Sequence, residues 1–200
     1  MSDFPIENKR KADHSIHSVF TDRWSPRAFS NEAITEDELL TILEAARWAP
    51  SSFNAQPWRF AYALRGDSFF QPLAESMNAA NQQWAPKAAA LVAVTSFKLS
   101  TPPGAQALVP NGAHTFDTGA AWACLAIQAT FSGWYSHAMG GIDFEKASAA
   151  INLPNDHQLH ALVAIGKRGD PSVLPDALRE RESPNPRKPI RELAVRGKFL

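Results

Sequence analysis

The sequence predicts a single mixed α and β domain in which helices alternate with at least three strands. Three features point there: a capped amphipathic helix over Thr35 to Trp48, a period-two strand over Trp58 to Leu64, and two continuous apolar runs, Ala88 to Ser96 and Leu159 to Lys167. With 200 residues, 44% hydrophobic and 20% charged, the chain is sized and composed to bury one core.

The elements follow in order. Residues 1–15 are polar and aperiodic and read as a surface lead-in of little functional content. Ile16, Val19 and Phe20 share a helical face and predict a short helix ending near Thr21. Thr35 and Glu38 form a T-x-x-E capping box, Leu39, Ile42, Leu43 and Ala46 make its apolar stripe, and Pro50 stops the helix. Trp58, Phe60, Tyr62 and Leu64 alternate with smaller or polar residues, as a half-buried strand does, and Gly66-Asp67 ends it. A polar helical segment over Phe69 to Trp84 leads into the first apolar run, a central strand. Residues 100–114, with three prolines and two glycines, read as a loop or lid. Asp117 is expected to cap a helix running to about Ser132, apolar on most faces and so buried centrally or at a subunit interface, with Cys124 inside it. Met139-Gly140-Gly141 reads as a turn, Phe144 to Ile151 as a short helix, and the second apolar run as a third strand. Residues 170–200, with five prolines after Asp170, read as an extended arm laid over another surface.

Several function classes drop out. Lys+Arg and Asp+Glu balance at 20 each, so the chain lacks the bulk positive field of a nucleic-acid binder, and any anion site must be local. The apolar runs fall short of the roughly 18 residues that span a bilayer. The single cysteine and the polar N-terminal stretch fit a reducing cytoplasm better than secretion. His14 and His17, and His157 and His160, stand three apart but lack acidic or cysteine partners at ligand spacing, so no metal is expected. No G-x-S-x-G elbow, Walker loop or G-x-G-x-x-G turn occurs.

What remains is RWSPR. In an extended segment Arg23, Ser25 and Arg27 project to one side and Trp24 and Pro26 to the other, so two guanidiniums and a hydroxyl form one edge, an anion cradle. Downstream, Pro50, Ser51, Ser52, Asn54 and Gln56 put short polar groups just before an aromatic strand, where backbone donors can face a planar heterocycle.

These residues, R-x-S-x-R-x-F (Arg23 to Phe29) followed by AARWAPSSFNAQPW (Ala45 to Trp58), resemble the nitroreductase family of FMN-dependent oxidoreductases. The likeness continues through Asn81 and Trp84, Asp117, Met139-Gly140-Gly141, the Leu159 to Gly166 strand and PRKPIREL near the end, over roughly residues 15 to 198. The resemblance implies a mainly antiparallel α+β fold and an intertwined homodimer whose C-terminal arms exchange. It implies FMN held by Arg23, Trp24, Ser25 and Arg27 on its phosphate and ribityl side, with Arg187 as a further phosphate ligand. Pro50, Ser51, Ser52 and Asn54 would approach from the partner subunit, and Asn81 would bond the polar edge of the ring. Met139, Gly140 and Gly141 would pass close to it, the glycines offering N–H groups to N5 and O4. No side chain is implied as a nucleophile, while Arg27 and Gly140 would tune the flavin. NADH or NADPH would be the donor and a nitroaromatic or quinone the acceptor, in ping-pong order, with neither nucleic acid nor membrane as partner. The same fold and FMN also serve aldehyde or enoyl reduction or flavin-dependent oxidation, and a non-catalytic flavin-binding module is a third reading. Trp24, Trp84, Asn185 and Gly140 depart from charged residues of some members.

Overall fold

Four strands run antiparallel throughout in the order β1-β2-β6-β5: β1 (Trp58–Leu64), β2 (Ala90–Phe97), β5 (Tyr135–Met139) and β6 (His157–Gly166). The computed structural model describes residue 4 and residues 6–198. β2 and β6 lie in the middle and carry the two apolar runs, and β2 is buried from Ala90 to Ser96. A sheet covered on both faces requires this continuous apolar pattern. The edge strand β1 keeps its two-residue alternation only loosely, with Trp58 and Ala63 buried.

Helix α2 (Glu36–Arg47) begins as its capping box dictates: Glu38 N donates to Thr35 Oγ1 at 3.2 Å, and Thr35 N donates to Glu38 Oε2 at 2.9 Å. Its stripe of Leu39, Ile42, Leu43 and Ala46 packs, together with α5 (His114–Phe131), on one face of the sheet. On the other face, Phe70, Leu73 and Ala74 of α3 (Phe70–Glu75) and Ala147 of α6 (Phe144–Ala150) join Phe29, Trp84 and Leu162 in a second core.

Several expectations are corrected. The α5 helix starts three residues before Asp117, at the Asn111-Gly112 turn where Ala113 N donates to Asn111 Oδ1 at 3.0 Å, so Asp117 is not its cap. One face of α5 is buried, but Phe116 and Phe131 are exposed and Cys124 is half-buried rather than enclosed. The Phe69 to Trp84 segment splits into α3 and α4 (Ala79–Gln82), because Met77 leaves the helix to bridge Ile142. Met139 is not in a turn but closes β5. The 100–114 loop is braced by a small hairpin of β3 (Leu99–Ser100) and β4 (Val109–Pro110). The single turn α1 (Val19–Asp22) buries only Val19. The arm, read as extended, also carries two short turns, α7 (Asp176–Arg179) and α8 (Ile190–Leu193); within the one chain described, Arg10 Nε donates to Asn185 O at 2.7 Å and Ile190 N to Asp13 Oδ2 at 2.7 Å. Among the described residues no helix is long and apolar enough to cross a membrane.

Candidate functional site

Alternation sets the cradle. Trp24, Pro26 and Ala28 are buried while Arg23, Ser25 and Arg27 stay half-exposed, with Arg23 Nη1 3.2 Å from Ser25 Oγ. Trp24 turns its ring into the core, edge-on to Tyr135 and under the Arg168 guanidinium. Around this edge lies a cavity of about 170 Å³ lined by Arg10, Arg23, Arg27, Arg181 and Arg187, with Ser25, Ser183, Asn185 and His137. Arg23, Ser25, Arg27 and Arg187 were read from sequence; Arg10, Arg181, Ser183 and His137 were not. Arg10 comes from the lead-in, which the sequence reading left out of the site. Its Nη1 donates to Thr21 O at 3.1 Å and Arg23 O at 2.6 Å, fixing the lead-in beside the cradle.

Charge is poorly balanced here. Among the described residues the only carboxylate within ion-pair distance of these five guanidiniums is Glu182, 3.7 Å from Arg27. Burial and the neighbouring Arg187 pull Arg23 below the usual arginine pKa, and Arg10 is lowered by burial and then by Arg187 and Arg23. His137 projects from β5 into the same cavity. Its Nδ1 lies 2.9 Å from Pro26 O, which can only accept, so that nitrogen carries the proton. Burial first, and then Arg27 and Arg23, lower its pKa to about 4, so the ring is neutral at pH 7. A groove of about 490 Å³, walled by Phe20, Trp122, Ala126 and Ile127, adjoins the cradle at Arg23, Ser25 and His137. Apolar walls beside a charged corner suit a ligand with a planar body and an anionic tail.

Beyond His137 along β5, the chain reaches Met139, which is buried, and then Gly140 and Gly141. Asn81 Nδ2 donates to Gly141 O at 3.0 Å, and Asn78 N donates to the same oxygen at 3.0 Å. A methyl group on Gly141 would come within 2.4 Å of Asn78 Nδ2 and 2.9 Å of Asn81 Nδ2, so a larger residue would displace both asparagine side chains, whereas Gly140 faces open space. Trp84 stacks at 4.5 Å on His137, a buried spacer between the asparagine corner and the cradle.

The Pro50 to Gln56 loop lies apart from the cradle in this chain. Phe53, Asn54 and Gln56 adopt left-handed φ of 51°, 55° and 47°, a cluster of strain that non-glycine residues hold only where the surroundings enforce it. Asp117, 4% exposed, supplies one restraint by accepting from Ser52 N at 3.1 Å. The loop's Phe53, Asn54 and Ala55 wall a separate cavity of about 320 Å³ with Arg59, Phe97 and Leu108.

A second polar cluster sits at the other end of the sheet. The bulge between Val94 and Thr95 leaves His160 unpaired and turns it toward Ser96, whose Oγ lies 2.7 Å from both His160 Nε2 and His114 Nδ1. Among the described residues no three histidine, cysteine, aspartate or glutamate side chains converge as a metal site.

Fold and site together define an antiparallel α+β domain built around an anion cradle that opens onto an apolar groove. The chain belongs to the nitroreductase family, whose model matches residues 20–167. Over 98% of its length it is similar, at 40% identity and a TM-score of 0.91, to a solved oxidoreductase containing FMN, covering 99% of that chain. It is 31% identical over 124 residues, 62% of this chain and 69% of the other, to an Archaeoglobus fulgidus protein provisionally named NADH dehydrogenase/NAD(P)H nitroreductase. A 53-residue stretch, 26% of this chain, is 38% identical to a nitrobenzene nitroreductase of Ectopseudomonas oleovorans. The chain spans 23% of that enzyme's length and 56% of another curated relative, a 15.4 kDa protein of Mycolicibacterium smegmatis.

Proposed function

We propose that this protein binds FMN and uses it to pass a hydride from NADH or NADPH to an electron-poor acceptor, a nitroaromatic or a quinone. The observation that carries the reading is the cradle: several guanidiniums and two hydroxyls converge with a single carboxylate among them, which is the donor set for a phosphate monoester. When bound, FMN supplies reversible hydride transfer at its ring. The protein's own groups bind and orient. Arg10, Arg23, Arg181 and Arg187 hold the phosphate with Ser25 and Ser183, and Trp24 anchors their backbone from below. Arg27 joins them on the phosphate and ribityl side and reaches on toward the ring, where negative charge accumulates on reduction. His137, neutral, adds no further positive charge to the seam between cradle and groove. Asn81 and the backbone of Met139, Gly140 and Gly141 bound the ring's polar edge.

A homodimer completes the site in this reading. Phe20, Phe116 and Phe131 are exposed on α1 and α5, and Ile16, Phe20, Ile190 and Leu193 wall an apolar cleft of about 340 Å³ between lead-in and arm. Such apolar surface suits a subunit interface with arm exchange. Pro50, Ser51, Ser52 and Asn54, held in a strained loop away from their own cradle, would then serve the partner's flavin.

The purified protein should be yellow and bleach when NADH or NADPH is added without air. A colourless protein that takes up no added FMN overturns the reading. Donor and acceptor must use one flavin face in turn, so double-reciprocal plots should be parallel; intersecting lines would require separate sites. Sedimentation should give a flavin-loaded dimer, and a flavin-loaded monomer of 21.9 kDa would remove the dimer from the proposal.

A further inference from the structure

Among the described residues Glu182 is the one acidic residue at the cradle, and its two carboxylate oxygens are used differently. Its side chain is 2% exposed. Oε1 accepts from two successive backbone donors, Arg27 N at 2.7 Å and Ala28 N at 2.9 Å. Oε2 is buried and has no hydrogen-bond partner among the described residues; its nearest cation, Arg27 Nη1, stands at 3.7 Å. A buried carboxylate oxygen without a donor is costly, so something other than stability of the empty chain accounts for its placement. Its neighbours are informative: Arg181 and Ser183 flank it, and Asn185 and Arg187 follow on the same arm, all lining the cavity.

We propose that Glu182 is the positioning residue that assembles the anion cradle. Oε1 latches the C-terminal arm to the backbone of Arg27 and Ala28, which sets the arm's arginines opposite Arg23 and Arg27. Oε2 holds the Arg27 guanidinium loosely until the ligand's phosphate takes it over. The two oxygens thus act in opposite senses: the latch favours anion binding, and the carboxylate charge competes with it. Two backbone amides bonded to one oxygen fix a chain direction, whereas a 3.7 Å contact is too long to be a hydrogen bond and yields readily to a closer anion.

The inference rests on FMN as ligand for one of its two readouts. Glu182→Gln keeps an oxygen for the two amides and removes the charge; its NH2 group turns toward Arg27 and cannot hold it. Glu182→Ala removes latch and charge together. In fluorescence titrations Glu182→Gln should bind FMN about three- to tenfold more tightly than wild type, with riboflavin affinity unchanged because riboflavin lacks the phosphate. Glu182→Ala should bind FMN at least about tenfold more weakly. A residue that merely supported the fold would weaken both variants, and that outcome overturns the proposal. The second readout needs no flavin: trypsin should cut the arm near Arg181 and Arg187 in Glu182→Ala but spare it in Glu182→Gln as in wild type. Equal cutting of the two variants overturns the latch. If wild type bound no FMN, the functional reading would fall while this protection pattern would still decide the role of Glu182.

Discussion

The molecule holds two polar clusters at opposite ends of its sheet, and they differ in how their charges and protons are matched. At Ser96 the account closes internally. The Ser96 hydroxyl can donate to one imidazole and accept an N–H from the other, each at 2.7 Å. Burial and then His114 lower the His160 pKa. At the cradle the account stays open: five guanidiniums crowd a cavity with one carboxylate among the described residues within ion-pair distance, and Arg10 and Arg23 are pulled below their usual pKa by burial first and then by Arg187. Polar clusters in one fold therefore carry opposite meanings. A polar group satisfied by its neighbours holds the fold, and one left in deficit marks where a ligand completes it.

The largest effect belongs to His137. Its folded pKa of about 4 lies below the ordinary 6.5, so between those values the unfolded chain takes up a proton that the folded chain refuses. Its contribution to stability is complete above pH 6.5 and is lost as the pH falls toward 4, by about 3 kcal/mol. In urea titrations at pH 7 and pH 4.5, wild type should lose most of that amount more than His137→Gln, which does not titrate. Equal losses would mean that the ring is not held neutral. Bound phosphate ions should narrow the difference, since an anion in the cradle favours the imidazolium.

Arg23 should show the open cluster's signature. If Arg23 holds the phosphate as proposed, Arg23→Ala should remove a charge-assisted contact worth roughly 1.5 to 3 kcal/mol or about ten- to hundredfold in FMN dissociation constant. Excess FMN should restore activity. Unchanged affinity would place the phosphate elsewhere.

Ser96→Ala should give the reverse pattern. It leaves two imidazoles without their shared partner and should lower unfolding stability by about 1 to 2 kcal/mol while FMN affinity stays at the wild-type value. A loss of flavin affinity with unchanged stability would show that this cluster, too, serves a ligand.

Much of this was legible in the sequence because it is written locally. The Thr35 and Glu38 cap, the Ala88 to Ser96 run and the Arg23-Ser25-Arg27 alternation each depend on residues within a few positions of one another. β5 escaped because Tyr135-Ser136-His137-Ala138-Met139 has no two-residue apolar alternation; Ser136 and Met139 are its buried residues, three apart. Asp117 was misplaced because an Asx turn upstream at Asn111 started the helix earlier. Arg10 and Arg181 were missed for a different reason: the cradle is assembled from segments as far apart as residues 10 and 187, and no local period announces that. Arg181 beside the proline-spaced Arg187 was the available hint. The Glu182 contacts to Arg27 and Ala28, across more than 150 residues, left no signal at all.

The smallest expected effect is also the most discriminating. Arg187 is exposed, and its Nη1 donates only to the carbonyls of Asn185 and Pro186, within its own turn of chain. In the empty protein it repels Arg23 and Arg10, so its loss removes a repulsion along with two local hydrogen bonds. These terms oppose each other and both are softened by solvent, which leaves a net change below about 0.5 kcal/mol. Arg187→Ala should therefore unfold at nearly the wild-type urea concentration when unliganded. With FMN present the same substitution should lower the midpoint, because stabilisation by a ligand follows its affinity and the variant would lack the phosphate contact proposed for Arg187. Raising the salt concentration should shrink that liganded difference and leave the unliganded one almost unmoved. If Arg187→Ala instead destabilised the empty protein as much as Ser96→Ala does, the cradle would be a closed structural cluster like the other, and the contrast between the two ends of the sheet would collapse.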